Sequence, residues 1–309
     1  CITSILRKMR YLKQCPVCNN IKFKDWLICT DHSVSKEQFN IVSCETCGFL
    51  FTNPKPKDDD INKYYISSNY ISHTNKKKGL LNWLYQLVRK ITIHKKLKLL
   101  KKFKENGTHL DIGCGTGEFL YACKKNGYKT LGIEPSDLAR KKAVKNYNLN
   151  ISDDVTLSSI KDKSIDSISM WHVLEHINDI NNFIIQLDRI LKKNGVVFIA
   201  VPNTESWDCK YYGKYWAAWD VPIHFWHFSR KTLTTLLEKN GFKIIKEKPM
   251  WYDAFYISIL SEEYKKGRKN YFISFLIGMI SNLFAIFNKN NTSSLTYIAK
   301  KKSKNCCSN

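Results

Sequence analysis

Three observations predict an α/β protein: a mostly parallel sheet with helices on both faces, preceded by a small cysteine-built module. At Thr108–Gly117 a strand-like run passes through a glycine turn into a helical pattern. From Lys129 to Met250, apolar strand runs alternate with helical runs, the order of a sheet covered on both sides. Two Cys-x-x-Cys pairs, Cys15/Cys18 and Cys44/Cys47, are separated by 25 residues, a spacing that reads as a metal-bound module.

In the first of these, Leu110 and Ile112 end a buried strand, and Gly113, Gly115 and Gly117 then alternate with small residues. Such a turn brings backbone N–H groups close to a ligand, and the helix N-terminus behind it favours negative charge. A nicotinamide site fits poorly. Asp111 stands where a dinucleotide fingerprint has an apolar residue, and Glu118 fills the place of its last small one. Leu110-Asp-Ile-Gly-Cys-Gly-Thr-Gly117 instead resembles motif I of the class I S-adenosylmethionine methyltransferases, and the resemblance runs on to about Lys301. It implies a Rossmann-like sheet of seven strands with the last antiparallel. It also implies S-adenosyl-L-methionine as cofactor, with Asp111 and the backbone of Gly113, Gly115 and Gly117 holding its amino-acid part.

The chain of 309 residues is long enough for a full α/β core and an extra module, and 43% hydrophobic content fits a globular protein. The net charge of +23 suggests an acidic partner, but only seven of the 50 basic residues are arginine. Lysine spread this widely reads equally as a solvated surface, so nucleic acid is not the expected partner on charge alone. Most of the eleven cysteines are scattered, and Cys1–Arg7 lacks the apolar run and cleavage site of a signal peptide, so a reducing cytoplasm is expected.

Residues 11–56 read as a zinc ribbon: Cys15, Cys18, Cys44 and Cys47 place two thiolates on each of two tight turns, around strand-like runs at Ile21–Phe23 and Phe39–Val42. Cys29 and His32 are less well spaced as ligands. Residues 57–107 are a linker and an amphipathic helix. Lys57–Asp60 is charged, and Tyr64, Tyr65 and Tyr70 either line a substrate entrance or pack the ribbon. Leu80–Phe103 carries apolar residues at helical spacing.

The domain proper spans residues 108–301. After the glycine turn a helix runs to Lys125, and Lys129–Ile133 is the second strand. Glu134 at its end takes, by resemblance, the two ribose hydroxyls. Asp137–Lys145 is helical, and a third strand at Leu149–Ser152 leads to Asp153 and Asp154, the candidates for adenine contact. Ile165–Trp171 is the fourth strand, with Trp171 and His172 shaping the cofactor pocket. The following His172-Val-Leu-Glu-His176 also has the inverted zincin pattern, but it stands at a strand end rather than on a protease helix. Some quinone-biosynthesis methyltransferases carry Glu-x-x-Glu-His here and recruit a divalent ion; this chain has His172 at the first Glu. A helix at Asp179–Lys193, stopped by Asn194-Gly195, precedes the fifth strand, Gly195–Asn203.

Trp207–Phe228 gathers Trp207, Tyr211, Tyr212, Tyr215, Trp216, Trp219 and Trp226, an arrangement that either holds a substrate or caps the core. His224 and His227 within it are the candidate general bases for a hydroxyl acceptor. Asp220-Val-Pro-Ile-His224 resembles an Asp-x-Pro-Arg-His segment of bacterial glycan-cluster methyltransferases, with Ile223 in the arginine's place. Ser229–Gly241 is a capped helix, and Phe242–Met250 and Ser293–Lys301 are strands six and seven. Between them, residues 251–292 form a hydrophobic helical insertion. Its Tyr271–Phe287 run packs on the domain or lids the site, with peripheral membrane contact through residues 265–287, at the inner face of the membrane, as the alternative. Residues 302–309 read as a disordered tail. The expected function is O-methylation of a saccharide, a lipid-linked glycan or a related small molecule. An RNA methyltransferase and a non-catalytic zinc-ribbon scaffold are the rival readings.

Overall fold

A computed structural model of the chain describes residues 9–65, 80–289 and 291–302. Cys1, Tyr70 and residues 303–309, on which expectations were placed, lie outside the described residues.

The cysteine module contributes β1 (Met9–Arg10), β2 (Phe23–Thr30), β3 (Gln38–Cys44), β4 (Leu50–Thr52) and β5 (Lys55–Pro56). The expected charged linker begins instead with a short helix, α1 (Asp58–Ile61), and α2 follows at Leu80–Phe103 with the bounds its periodicity predicts. The main domain alternates β6 (Thr108–Ile112), α3 (Glu118–Lys125), β7 (Lys129–Ile133), α4 (Asp137–Tyr147), β8 (Ile151–Ser152), β9 (Ile165–Trp171), α5 (Ile180–Ile190) and β10 (Leu191–Pro202). Then come α6 (Trp207–Tyr212), β11 (Trp226–His227), α7 (Arg230–Lys239), β12 (Phe242–Pro249), α8 (Asp253–Lys266), α9 (Tyr271–Phe287) and β13 (Ser294–Lys301).

Seven strands form one sheet in the order β12-β13-β10-β9-β6-β7-β8. Only β13 is antiparallel, to both β10 and β12, as the resemblance implied. β9 and the Val196–Pro202 part of β10 are buried almost throughout because helices cover both faces, which is why they read as continuous apolar runs. Helix α7 is closed by a reciprocal capping box between Ser229 and Thr232.

One helix end differs from expectation. α5 stops at Ile190, and Asn194-Gly195 lies inside β10, at a bulge between Leu191 and Val196. Gly195 serves close packing rather than a helix stop: a Cβ there would fall 2.5 Å from the Leu191 side chain.

The ribbon does not stand apart. Its sheet runs β11-β4-β3-β2, so the outermost strand is supplied by Trp226–His227 of the main domain. Val17, Phe49 and Phe51 share one buried cluster with Ile184 and Leu233, and the Phe49 ring stacks on Trp226 at 6.0 Å. This is also where much of the aromatic stretch goes. Trp216, Trp219 and Trp226 are buried, and their indole N–H groups donate to Asp208, Gly213 and Ile177 respectively. They cap the core rather than face a substrate.

The insertion between β12 and β13 is a helical pair. Among the described residues no helix is long and apolar enough to cross a membrane.

Candidate active site

The site is built at the carboxyl ends of β6, β7 and β9. Gly113, Gly115 and Gly117 all have positive φ, and the N–H groups of Gly113 and Cys114 donate to Ile133 O at 2.7 and 3.0 Å, pinning the turn to β7. Two glycines are needed for packing: a Cβ would fall 2.5 Å from Val173 at Gly113 and 2.7 Å from Leu149 at Gly117. At Gly115 it would meet no described residue within 4 Å, so among the described residues the crest of the turn is open. Glu134 stands against that crest. Its Oε2 accepts the Gly115 N–H at 2.8 Å and its Oε1 the Ser136 N–H at 2.9 Å. Burial raises its pKa, against the pull of those two donors and of Arg140.

Asp111 is held from behind by a polar strip inside the sheet. Ser169 donates its hydroxyl to Asp111, His109 Nε2 lies 3.1 Å from Ser169 Oγ, and His109 Nδ1 lies 2.9 Å from Ser167 Oγ. Because the Ser169 proton goes to Asp111, the consistent tautomer has His109 donating through Nε2 and accepting through Nδ1. Burial depresses the His109 pKa to about 3, so the ring is neutral. Burial likewise raises Asp111, against the Ser169 hydrogen bond and the charge of Lys96, to about 7.

Sequence reasoning missed the contribution of α2. Lys96 Nζ sits 4.2 Å over the Trp171 ring, within electrostatic reach of Asp111 and Asp253, and burial lowers its pKa to about 8. Arg89, seven positions earlier and so on the same helix face, bonds Thr116 at 3.1 Å and Glu118 at 2.7 Å. Basic residues at that spacing on the helix before the glycine turn were the available signal. Trp171 Nε1 is buried beside this group without a hydrogen-bond partner among the described residues.

The donor set fits S-adenosylmethionine. Two carboxylates, an ammonium and an open crest of backbone N–H groups match a molecule carrying an ammonium, a carboxylate, a sulfonium and a diol. Of the two acids after β8, Asp153 pairs with Arg140 at 3.4 Å and is well exposed. Asp154 spends both oxygens on its own turn, accepting from Thr156, Ser158 and Ser159. That turn, rather than adenine, accounts for Asp154.

Beyond β9 the chain makes a turn with His172 at φ 59°, and Leu174–His176 form a single 3-10 turn, not the helix a zincin needs. His172 bridges Asp253 of α8 at 3.0 Å and Glu175 at 3.3 Å. Burial opposes its charge, but these two carboxylates prevail and raise its pKa to about 10. Glu175 is fully buried, and its Oε2 has no hydrogen-bond partner among the described residues. Glu175, His176 and His224 each offer a donor atom, all within 4.8 Å of one another, a set able to hold a divalent ion.

The two candidate bases separate. His224 Nδ1 lies 2.9 Å from Ala218 O, so it carries the proton and leaves Nε2 as an acceptor, facing the His176 ring at 4.6 Å. His227 instead belongs to β11, its Nε2 3.1 Å from Thr52 Oγ1 of the ribbon and its ring against Trp219. It is a seam residue: Thr52 donates its own proton to His224 O, so His227 Nε2 is the donor to Thr52 and has no free lone pair.

The four ribbon cysteines converge as their spacing predicts. Cys15 and Cys47 Sγ lie 3.6 Å apart, Cys18 and Cys44 Sγ 3.4 Å, and all four sulfurs fall within 4.8 Å of one another. A tetrahedral zinc–thiolate site with bonds of about 2.3 Å has S···S edges of about 3.8 Å, so this cluster fits zinc. Cys29 and His32 lie elsewhere: Cys29 is buried in a second core, and His32 stacks on Tyr264.

Comparison with known proteins agrees with this geometry. The chain is 37% identical over 114 residues to a ubiquinone biosynthesis O-methyltransferase of Pelagibacter ubique, covering 35% of this chain and 47% of that protein. A protein of the same description from Bartonella quintana is 28% identical over 163 residues, covering 48% and 65%. The chain thus spans about half to two thirds of the length of these relatives. The solved magnesium protoporphyrin IX methyltransferase of Synechocystis PCC 6803, with bound SAH, superimposes with a TM-score of 0.53 at 12% identity, over 79% of this chain and 100% of that one. At that identity the likeness shows the fold. A family model described as a methyltransferase domain matches residues 67–247, more than half of the sequence, and on that match the chain belongs to the methyltransferase domain family.

Proposed function

We propose that the protein transfers a methyl group from S-adenosylmethionine to a hydroxyl of a small acceptor. The observation that carries this reading is the open crest at Gly115 with the Glu134 carboxylate bonded to its N–H. A purely structural turn has no need of a buried carboxylate at its mouth. When bound, the cofactor supplies an electrophilic methyl on a sulfonium that needs no further activation.

The protein's own contributions are binding, alignment and proton acceptance. Glu134 exchanges its backbone donors for ribose hydroxyls, Asp111 accepts from the ammonium, and Lys96 faces the carboxylate. Asp153 stays near the adenine end, and Trp171 and His172 wall the pocket. The His224 Nε2 lone pair takes the acceptor's proton as its oxygen attacks, and the Glu175 carboxylate behind it steadies the positive charge so formed. Hydroxyl methylation is supported by the likeness to the O-methyltransferases of Pelagibacter ubique and Bartonella quintana. Saccharides and lipid-linked glycans are the first acceptor class, on the Asp220–His224 segment; hydroxylated rings are the second, on those relatives. The cysteine cluster holds structural zinc.

Titration calorimetry with S-adenosylmethionine tests the reading. Saturable one-to-one binding that Glu134→Ala abolishes supports it, and absence of heat with a folded, zinc-loaded protein overturns it. Methyl transfer from labelled cofactor to extracted glycans and lipids then identifies the acceptor.

A further inference from the structure

Helix α9 is turned inside out for a surface helix. The side against the protein carries mostly small and polar residues: Ser274, Gly278, Ser281 and Ala285 are buried, alongside the apolar Ile277. Ser281 donates to Asp208 at 2.8 Å and Ser274 bonds Ser258 O at 3.3 Å. A Cβ on Gly278 would fall 2.7 Å from the Phe255 ring, so α8 and α9 approach closely. These contacts fix the rotation of the helix. The opposite side is apolar and open, with Phe272 70%, Phe275 53%, Met279 41%, Leu283 51% and Phe287 88% exposed. Side chains of this size and exposure make an apolar face on the order of 500 Å², at the upper end of what a monomer leaves in water.

The rim is cationic. Lys265 and Lys266 are exposed at the end of α8, Arg268 and Lys269 in the turn entering α9, and Lys289 beyond its end. Among the described residues, only Lys269 of these has an acidic partner, Glu263 at 3.6 Å. At 17 residues the helix is about 25 Å long, with Asn270 capping its first turn, and it cannot cross a bilayer. An apolar face flanked by cations at both ends suits a helix lying in the plane of a membrane interface.

We infer that the outer face of α9 docks on an anionic lipid bilayer, phenyl rings among the acyl chains and the basic turn at the headgroup phosphates. Charge complementarity selects this occupant over a second copy, because pairing two such faces would bring their basic rims together on chains of net charge +23. The inference stands apart from methyl transfer, since it uses no residue of the cofactor site. It has one consequence for that site. α8, which carries the Asp253 partner of His172, would lie next to the lipid, so an acceptor anchored in the bilayer would be presented at the pocket.

The test is sedimentation of the full chain with phosphatidylcholine vesicles, with and without phosphatidylglycerol, at low and high salt. Binding is expected only with phosphatidylglycerol present and should weaken with salt. Phe272→Glu and Phe287→Glu should each reduce it about tenfold, and Lys266→Glu with Arg268→Glu should remove the anionic preference. Each variant's melting temperature and cofactor heat confirm that it folds, and Phe275→Ser is a milder substitution should either glutamate variant not express. No sedimentation with any vesicle, or variants that bind as the parent does, overturns the proposal. So does a concentration-dependent dimer that Phe272→Glu disperses while vesicles stay unbound, which would assign the face to a second copy.

Discussion

The Glu134 carboxylate and the Gly115 N–H meet at 2.8 Å across the mouth of the glycine turn, 19 residues apart in sequence. The contact preorganises the turn and keeps a charged acceptor where a diol would bind. Glu134→Gln keeps the shape but loses the charge-assisted part of those hydrogen bonds, worth about 1.5–3 kcal/mol. Cofactor affinity by calorimetry should fall at least about tenfold, and the melting temperature should fall as well, because the amide nitrogen would face one of the two backbone N–H donors.

The three glycines should not fail alike. Alanine at Gly115 strains a positive φ but meets no neighbour, whereas at Gly117 it also strikes Leu149 and Ala143. Gly115→Ala should cost about 1–2 kcal/mol of stability and abolish cofactor binding by filling the crest. Gly117→Ala should cost distinctly more, read by thermal unfolding.

Cofactor affinity should depend on pH with two limbs. Asp111 must be ionised to accept the cofactor ammonium, and with a pKa of about 7 it loses that charge as pH falls through 7. Lys96 must be charged to face the carboxylate, and with a pKa of about 8 it loses its proton as pH rises through 8. Binding should therefore peak between these values and drop about tenfold for each pH unit well outside them. Asp111→Asn should remove the acid limb and Lys96→Met the alkaline limb. A flat profile in the parent protein would refute both assignments.

The two histidines of the Asp220–His227 stretch should give different phenotypes. His224→Ala should cut turnover at least about a hundredfold with cofactor affinity preserved, the usual scale for a lost general base. His227→Ala should leave turnover per folded molecule nearly unchanged while costing about 1–3 kcal/mol, because Thr52 loses a buried partner.

Cys18→Ser should lower bound zinc from one per chain towards none, measured by atomic absorption. The loss should be visible far from the cysteines. β11 completes the ribbon sheet, so the buried Trp226 should be exposed and its fluorescence shifted to the red.

The scaffold was legible because its signals are local. Helical spacing marked α2 to the residue, glycines marked the elbow, and serine and glycine bracketed α7. Most of the misreadings share a cause, since they turn on contacts between distant segments. Nothing near Trp226 announces that it forms a strand with Phe51, and nothing near Asp253 announces that it bonds His172. Asn194-Gly195 carried a sound local stop signal that packing against Leu191 overrode. His109 was hidden for the same reason, and for Lys96 the spacing from Arg89 was the only hint. An isolated histidine in a strand and a lysine on a lysine-rich helix acquire meaning only once Ser167, Ser169 and Trp171 stand beside them.

The borrowed edge strand also sets an order of events during synthesis. The ribbon's cysteines leave the ribosome early, yet the strand that seals β4 arrives only with residue 226, after five strands of the main sheet have been made. Until then the nascent ribbon offers an unpaired edge, and its closure coincides with near-completion of the pocket. A truncated chain ending before that strand would expose a sticky flank, a ready target for quality-control proteases.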